Sequence, residues 1–159
     1  MTYGGGLWRT WFDRDLTLAG KVVLQSEDGT KLESRLWNCD HALLKVPNLA
    51  IHLDRSEEFK PNNEAHLKPL LAMTIVDQIF GENVTKIEDD KFQLDEKHFS
   101  TLTSLIANDL KVDRKRIIDF ELNVCDVQPP ALWGLHKEFI SSPRLDNLGS
   151  SLVALDSLI

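Results

Sequence analysis

The residues of this chain that could do chemistry are scattered, and no set of them has the spacing of a complete catalytic or metal site. The sequence contains no HExxH motif and no Cys/His cluster. Three consecutive glycines at positions 4–6 lead into a strand-like run and do not form GxGxxG, which excludes a dinucleotide site. No spacing supports a Ser/His/Asp nucleophile either.

The stretch after these glycines is rich in aromatic and charged residues. Trp8, Trp11 and Phe12 would suit nucleic-acid stacking only beside several basic residues, and one nearby arginine is too few. We therefore predict that they anchor a core or an interface. The next three residues are Asp13, Arg14 and Asp15. We expect the two carboxylates to pair with Arg14 and fix the start of the following strand, with metal binding as the alternative.

The histidines outside any motif offer weaker candidates. His66 lies close to a predicted helix start, where it could donate to a carbonyl group or cap a turn, with a site role as the alternative. Three others are interpreted as surface or structural residues: His41, His98 and His136.

Charge and cysteine content narrow the classes of partner. The formal net charge of −7 argues against nucleic acid as the main partner. The short basic run at residues 114–116 is interpreted as a solvated turn. No segment approaches the roughly 18 apolar residues of a membrane span, and no signal-peptide pattern begins the chain. Two distant cysteines without CxxC spacing favour a reduced, cytoplasmic location, and a single disulfide stays open.

Period-two alternation predicts a hairpin followed by further strands. Residues 16–25 form its first strand, Asp28-Gly29 its turn, and residues 31–36 its return strand. We expect more extended segments at residues 42–46, 118–125 and 132–140. The apolar face of the first strand consists of Leu16, Leu18, Val22 and Leu24.

Helical periodicity predicts three helices. The first has Pro69 in its first turn and ends before Gly81, and the second is capped by Asp95. Asp113 is predicted to cap a short turn. A last helix is capped by Ser142 with Pro143 at its first position. The apolar stripe of the second helix is Phe99, Leu102, Leu105, Ile106 and Leu110, and that of the last is Leu145, Leu148, Leu152 and Leu155.

Together these elements predict an α+β fold with largely antiparallel strands. Five ordered segments also resemble the aspartyl aminopeptidase family, dinuclear zinc exopeptidases that remove acidic residues from peptide N-termini. The segments are GGGLWRTWFDRDLTLAG, VPNLAIHLDR, PNNEAHLKPLLA, CDVQPP and FISSPRLDNLGSSLVAL. The resemblance implies an inserted dimerisation domain at residues 1–141, built as a β-barrel-like sheet flanked by two helices. Residues 142–159 would begin a catalytic domain, and the C-terminal helix would be part of that domain.

The resemblance also implies two site residues. Asp146, in RLDN, matches the aspartate that bridges two zinc ions in the family, while the alternative is a carboxylate that favours a helix dipole. The other zinc ligands have no counterpart here, so we expect no zinc on this segment alone. His52, in AIH, matches a histidine that reaches the active site of the neighbouring subunit and contacts substrate, while the alternative is an exposed or core-satisfied histidine on a strand edge.

Two hypotheses about function follow. In the first, the chain is a segment of a zinc aminopeptidase that hydrolyses peptides, forms a homodimer or larger homo-oligomer, and is inactive alone. In the second, it is a free-standing, non-catalytic oligomerisation or protein-interaction module. The opening glycines and a last helix without a C-cap glycine lead us to expect a segment or a truncated relative of a longer protein.

Overall fold

The structure is a computed structural model that describes residues 7–55, 58–76 and 98–159. Its chain divides into two units, residues 1–125 and 126–159. The domain boundary predicted between residues 141 and 142 stays a prediction.

The predicted hairpin is confirmed. Strand β1 (Leu16–Gln25) pairs antiparallel with strand β2 (Leu32–Asn38), in a register that runs from Gln25 opposite Leu32 to Ala19 opposite Asn38. Gly29 has φ +72° in the turn, a conformation that suits glycine. The Asp28 carboxylate accepts hydrogen bonds from the Ser26 hydroxyl and from the backbone N–H and hydroxyl of Thr30. These bonds stabilise the charged form and lower the pKa of Asp28 to about 2.

The two strands contribute unequally to the core. The predicted apolar face of β1 is buried, and Leu16, Val22 and Leu24 are fully so. Register places Trp37 of β2 opposite Gly20 on the core face, where it is 4% exposed. The other apolar residues of β2 lie on the opposite face and are exposed, namely Leu32 and Leu36.

Strand β3 (Ile117–Asp126) lies on the other side of β1, giving the strand order β2-β1-β3. Its backbone approaches Gly20 so closely that a Cβ there would lie 2.0 Å from the Glu121 carbonyl oxygen. The close contact between β1 and β3 therefore leaves no room for a side chain at position 20, and only glycine fits there.

A 3-10 turn (Arg114–Arg116) leads into β3, and Asp113 caps it as predicted by accepting from the Lys115 N–H at 2.9 Å. The prediction that the whole basic run is solvated is wrong for Arg116. Its side chain is 18% exposed, and it donates to the Gln25 carbonyl at 2.8 Å and to the Glu33 carboxylate at 3.0 Å.

Helix α1 (Ser100–Leu110) covers this sheet and confirms the predicted apolar stripe except for Phe99, which precedes the helix and is 39% exposed. Ile106 is fully buried, and Leu102, Leu105 and Leu110 pack against the core. The indole N–H of Trp37 donates to the Asp109 carboxylate at 2.9 Å. Phe99 is the N-cap, whereas the predicted cap, Asp95, lies outside the described residues.

The segment after β2 returns to the start of the chain. Residues 44–46 form isolated bridges with Leu16, Phe12 and Leu70. Leu70 pairs with Lys45 through backbone hydrogen bonds, which hold the chain around Leu70 extended. The prediction of a helix from Pro69 is therefore wrong at its start. Residues 74–76 are helical, while the rest of that helix and Gly81 lie outside the described residues.

The second unit contains a small hairpin and a helix. Strands β4 (Ala131–Trp133) and β5 (Phe139–Ser141) pair antiparallel, so the single strand predicted here is wrong. Gly134, at φ +99°, reverses the chain, and the rings of Trp133 and Phe139 stack with centroids 4.6 Å apart.

Helix α2 (Leu145–Asp156) follows, with Arg144 as its N-cap, so the predicted Ser142 cap and the predicted first position of Pro143 are both wrong. Its four stripe leucines are each at least 47% exposed.

The α+β class and the antiparallel pairing are confirmed. Across residues 7–55, 58–76 and 98–159 the strands form one three-stranded and one two-stranded sheet and no closed barrel. None of the described helices is long and apolar enough to cross a membrane.

Candidate functional site

His52 lies in an exposed turn. Residues 51–53 form this turn, which is closed by hydrogen bonds from the N–H groups of Leu53 and Asp54 to the Ala50 carbonyl at 2.8 and 3.1 Å. The flanking Ile51 and Leu53 are 72% and 77% exposed. The imidazole and its apolar neighbours are therefore presented to solvent on one short loop.

Asp13 anchors the chain just before this loop. Its backbone N–H donates to the Val46 carbonyl at 2.8 Å, and its carboxylate accepts from the backbone N–H and side-chain amide of Asn48 at 2.9 and 2.8 Å. These Asn48 hydrogen bonds, the backbone one first, lower the pKa of Asp13. One carboxylate thus fixes a segment 35 residues further along the chain.

The contacts of Asp13 and Asp15 differ from the predicted pairing with Arg14. Asp15 forms an ion pair with Lys45 at 2.9 Å, while Asp13 holds Asn48. Within the described ranges, both carboxylates therefore fix residues 45–48 to the start of the chain.

The aromatic residues of the opening stretch form anchors, as predicted for two of the three. Trp11 and Phe12 pack against the hydrophobic core, whereas Trp8 is 40% exposed. Phe12 also meets Phe59 edge to face at 5.3 Å, and the Arg9 guanidinium lies 5.0 Å from the centre of the Phe59 ring.

Asp146 is exposed at the start of α2. It and Asn147 have non-helical backbone angles, and the peptide bond between them is cis. In the described part of the chain, no group of three potential metal ligands includes Asp146. One exposed carboxylate does not fit a pair of zinc ions, because each ion needs about four ligands.

The other histidines are mostly structural. His66 Nδ1 accepts from the Asn62 N–H at 3.1 Å, so this residue closes a turn. His98 lies against Phe120, with ring centroids 4.4 Å apart, and His136 is exposed.

Three consecutive residues after β2 form a cluster that the sequence analysis missed: Cys39, Asp40 and His41. Their ligand atoms all lie within 4.8 Å of one another. The Cys39 thiol is 3.4 Å from His41 Nδ1, and an Asp40 oxygen is 3.0 Å from the same nitrogen. The hydrogen bond with His41 lowers the pKa of Asp40. The sequence signal that could have revealed this cluster is a cysteine and a histidine two residues apart at the end of a strand.

Comparison with known proteins agrees with the resemblance. A profile of the M18 peptidase family, described as aminopeptidase I zinc metalloprotease, matches residues 1–159. The aspartyl aminopeptidase of Dictyostelium discoideum is 43% identical, over 99% of this chain and 35% of that protein. Aspartyl aminopeptidase 1 of Schizosaccharomyces pombe is 41% identical, over 98% of this chain and 33% of that protein.

A similar fold occurs in a cryo-EM structure of the Ape4 and Nbr1 complex. One chain there is 40% identical, with a TM-score of 0.78, over 99% of this chain and 30% of its own length. This chain spans about a third of the length of the curated relatives it matches. Because the family profile covers the whole of residues 1–159, the chain belongs to the M18 family of zinc metalloproteases, the aminopeptidase I family.

Proposed function

We propose that this chain is part of an aspartyl aminopeptidase that removes acidic residues from peptide N-termini. Residues 1–141 would be its inserted dimerisation domain and residues 142–159 the start of its catalytic domain. The observation that carries this proposal is the 43% identity with the Dictyostelium aspartyl aminopeptidase over 99% of the chain. Both cysteines are free, which fits a cytoplasmic protein.

His52 is proposed to reach the active site of a neighbouring subunit and contact substrate there. Its exposed turn and the Asp13–Asn48 hydrogen bonds that hold the preceding residues support this role. In a full-length enzyme, His52→Ala should lower kcat/KM for an N-terminal aspartyl peptide. His136→Ala, at another exposed histidine, is the matched control. An unchanged kcat/KM for His52→Ala, with the oligomer intact, would refute the role.

Asp146 is proposed as a zinc ligand once residues from outside this chain complete a dinuclear site. The test is the zinc content of a full-length enzyme. Asp146→Asn should lower it, whereas Asp156→Asn, at the end of the same helix, should leave it unchanged. Equal zinc content in both variants would remove Asp146 from the site.

The chain by itself is proposed to be inactive, because only one family zinc ligand is assigned within it. Incubating it with zinc and an N-terminal aspartyl peptide tests this directly. Clear turnover, scaling with chain concentration, would overturn both the inactivity and the assignment of the remaining ligands to other sequence.

Homo-oligomerisation is proposed to involve β2. Among the strands of residues 7–55, 58–76 and 98–159, β2 is at the edge of its sheet, where backbone groups can join another strand, and Leu36 on its outer face is 85% exposed. Pairing of this kind would extend the sheet toward the barrel-like form expected from the family. Leu36→Glu should shift the chain toward monomer in light scattering. Leu158→Glu, at a leucine with the same 85% exposure, is the control.

A free-standing interaction module is the second candidate, and the core of the first unit favours it. Leu16, Val22, Leu24 and Ile106 are fully buried by residues of this chain alone. The parent transcript separates the two proposals. A glutamate pair and a histidine encoded downstream support the enzyme, whereas a stop codon directly after Ile159 supports the module.

A further inference from the structure

We propose that Cys39, Asp40 and His41 bind a thiophilic divalent cation, with Zn²⁺ as the natural candidate. These residues are not those that the family resemblance assigns to zinc. The three offer a thiolate, a carboxylate and an imidazole, which are the donor types that Zn²⁺ takes in proteins. Three protein ligands leave the fourth tetrahedral position for water.

The backbone that carries these donors is fixed on both sides. The Cys39 N–H donates to the Leu18 carbonyl at 3.0 Å, and the Thr17 hydroxyl donates to the Cys39 carbonyl at 3.0 Å. Two residues beyond His41, the Leu43 N–H donates to the Leu16 carbonyl at 2.8 Å. Residues 40 and 41 form a bend between these anchors, which brings the side chains of Cys39 and His41 to the same side.

The donor spacing is close to that of a tetrahedral zinc site. Ordinary zinc–ligand lengths place sulfur and nitrogen donors roughly 3.6 Å apart and nitrogen and oxygen donors roughly 3.4 Å apart. The corresponding distances here are 3.4 Å and 3.0 Å. The three donors are therefore already close enough together to surround one ion.

Two side chains have to adjust, those of His41 and Asp40. The Cys39 sulfur is 3.4 Å from Nδ1 and 3.8 Å from Nε2 of His41, so it lies beside the ring face. The His41 side chain is 58% exposed and can turn about χ2 to direct Nδ1 at the ion. The carboxylate of Asp40 is 96% exposed and can follow it.

The Cys39 thiol makes only weak polar contacts that a metal ion could replace. Cys39 is 1% exposed, and the polar contacts of its sulfur, at 3.4–3.8 Å, are all with His41. Binding exchanges these contacts for a metal–thiolate bond. Because the thiolate is the ligand, the thiol proton leaves to solvent. The ion would tie the end of β2 to the segment that returns to the start of the chain.

The experiment titrates the reduced chain with Co²⁺, whose bond to a thiolate produces a charge-transfer band in the near ultraviolet. We expect this band with one ion per chain, its loss on adding Zn²⁺, and a higher midpoint of thermal unfolding with Zn²⁺. The band should be lost in Cys39→Ser and retained in Cys125→Ser, which alters the other cysteine. Far-UV circular dichroism checks that Cys39→Ser is folded.

Two variants at exposed side chains keep the test valid if Cys39→Ser fails to fold. His41→Gln and Asp40→Asn should each weaken Co²⁺ binding at least tenfold without changing the circular dichroism spectrum. No charge-transfer band in the wild-type chain would overturn the proposal. A band that survives Cys39→Ser, or binding unaffected by both exposed variants, would overturn it as well.

Discussion

The two units of this chain use similar apolar residues in opposite ways. In residues 7–55, 58–76 and 98–125, the leucines of β1 and Ile106 of α1 are sealed in a common core. In residues 126–159, which are described throughout, no residue is buried. Helix α2 nevertheless carries a leucine stripe as regular as that of α1.

An amphipathic stripe therefore specifies a face to be covered and does not specify what covers it. Helix α1 meets a three-stranded sheet encoded in the same 159 residues, and Trp37 donates a hydrogen bond to it across 72 residues of chain. The leucines of α2 have no such cover among residues 126–159. Four experiments test this contrast, two by comparing the units directly and two within the first unit alone.

The largest expected effect is in the shared core. Ile106→Ala should lower the free energy of unfolding by about 2–5 kcal/mol, because a fully buried side chain leaves a cavity. Leu152→Ala in α2 removes a side chain that is 59% exposed and should change it by less than about 0.5 kcal/mol. Urea unfolding followed by far-UV circular dichroism measures both. Equal effects would mean that the two stripes are equally covered.

A smaller loss is expected where α1 is tied to β2. Trp37→Phe removes the indole N–H that donates to Asp109 at 2.9 Å and should cost about 1–2 kcal/mol in unfolding free energy. Trp133→Phe, in the exposed stack with Phe139, is its counterpart in the second unit. If Trp133→Phe proved the more destabilising in the same urea assay, the ranking of the two units would be reversed.

The hairpin turn should show a pH-dependent contribution. The pKa of Asp28 is lowered from 3.8 to about 2, so its stabilising effect is complete above pH 3.8 and is lost as the pH falls through 2. The thermal midpoint of wild type should therefore exceed that of Asp28→Asn at pH 5, and the difference should shrink toward pH 2. Thr30→Ala removes one donor and should move this loss to higher pH. A difference in thermal midpoint between wild type and Asp28→Asn that did not change with pH would contradict the lowered pKa of Asp28.

The smallest and most local effect is expected at the loop before His52. Asparagine, like aspartate, tolerates the φ of +59° found at position 13. Asp13→Asn nevertheless removes the charged carboxylate whose two oxygens accept hydrogen bonds from Asn48. Amide exchange at Asn48 should accelerate, while exchange in β1 stays unchanged. Protection that persists at Asn48 would show that the loop is held by other contacts.

Local periodicity was enough to predict the strands of the hairpin, the apolar face of β1 and most of the stripe of α1, and residue preferences predicted the Asp28-Gly29 turn and the Asp113 cap. Two of the errors share a physical cause, which is competition from groups distant in the sequence. Leu70 pairs with Lys45, so Pro69 lies in extended chain, and Arg116 reaches acceptors on the hairpin instead of solvent. The cluster at residues 39–41 was missed because it depends on a bend fixed by the backbone of β1. The roles of His52 and Asp146 rest on the family and stay predictions.

Arg116 has a consequence for the order in which the first unit folds. The β1–β2 hairpin closes through a turn of a few residues. The contacts of Arg116, in contrast, reach Gln25 across 91 residues of chain and Glu33 across 83 residues. Closing such a long loop carries a larger entropic cost than closing the hairpin. We therefore expect the hairpin to form early in folding and the Arg116 contacts to form late, after the transition state. Removing the Arg116 side chain should then speed unfolding more than it slows folding.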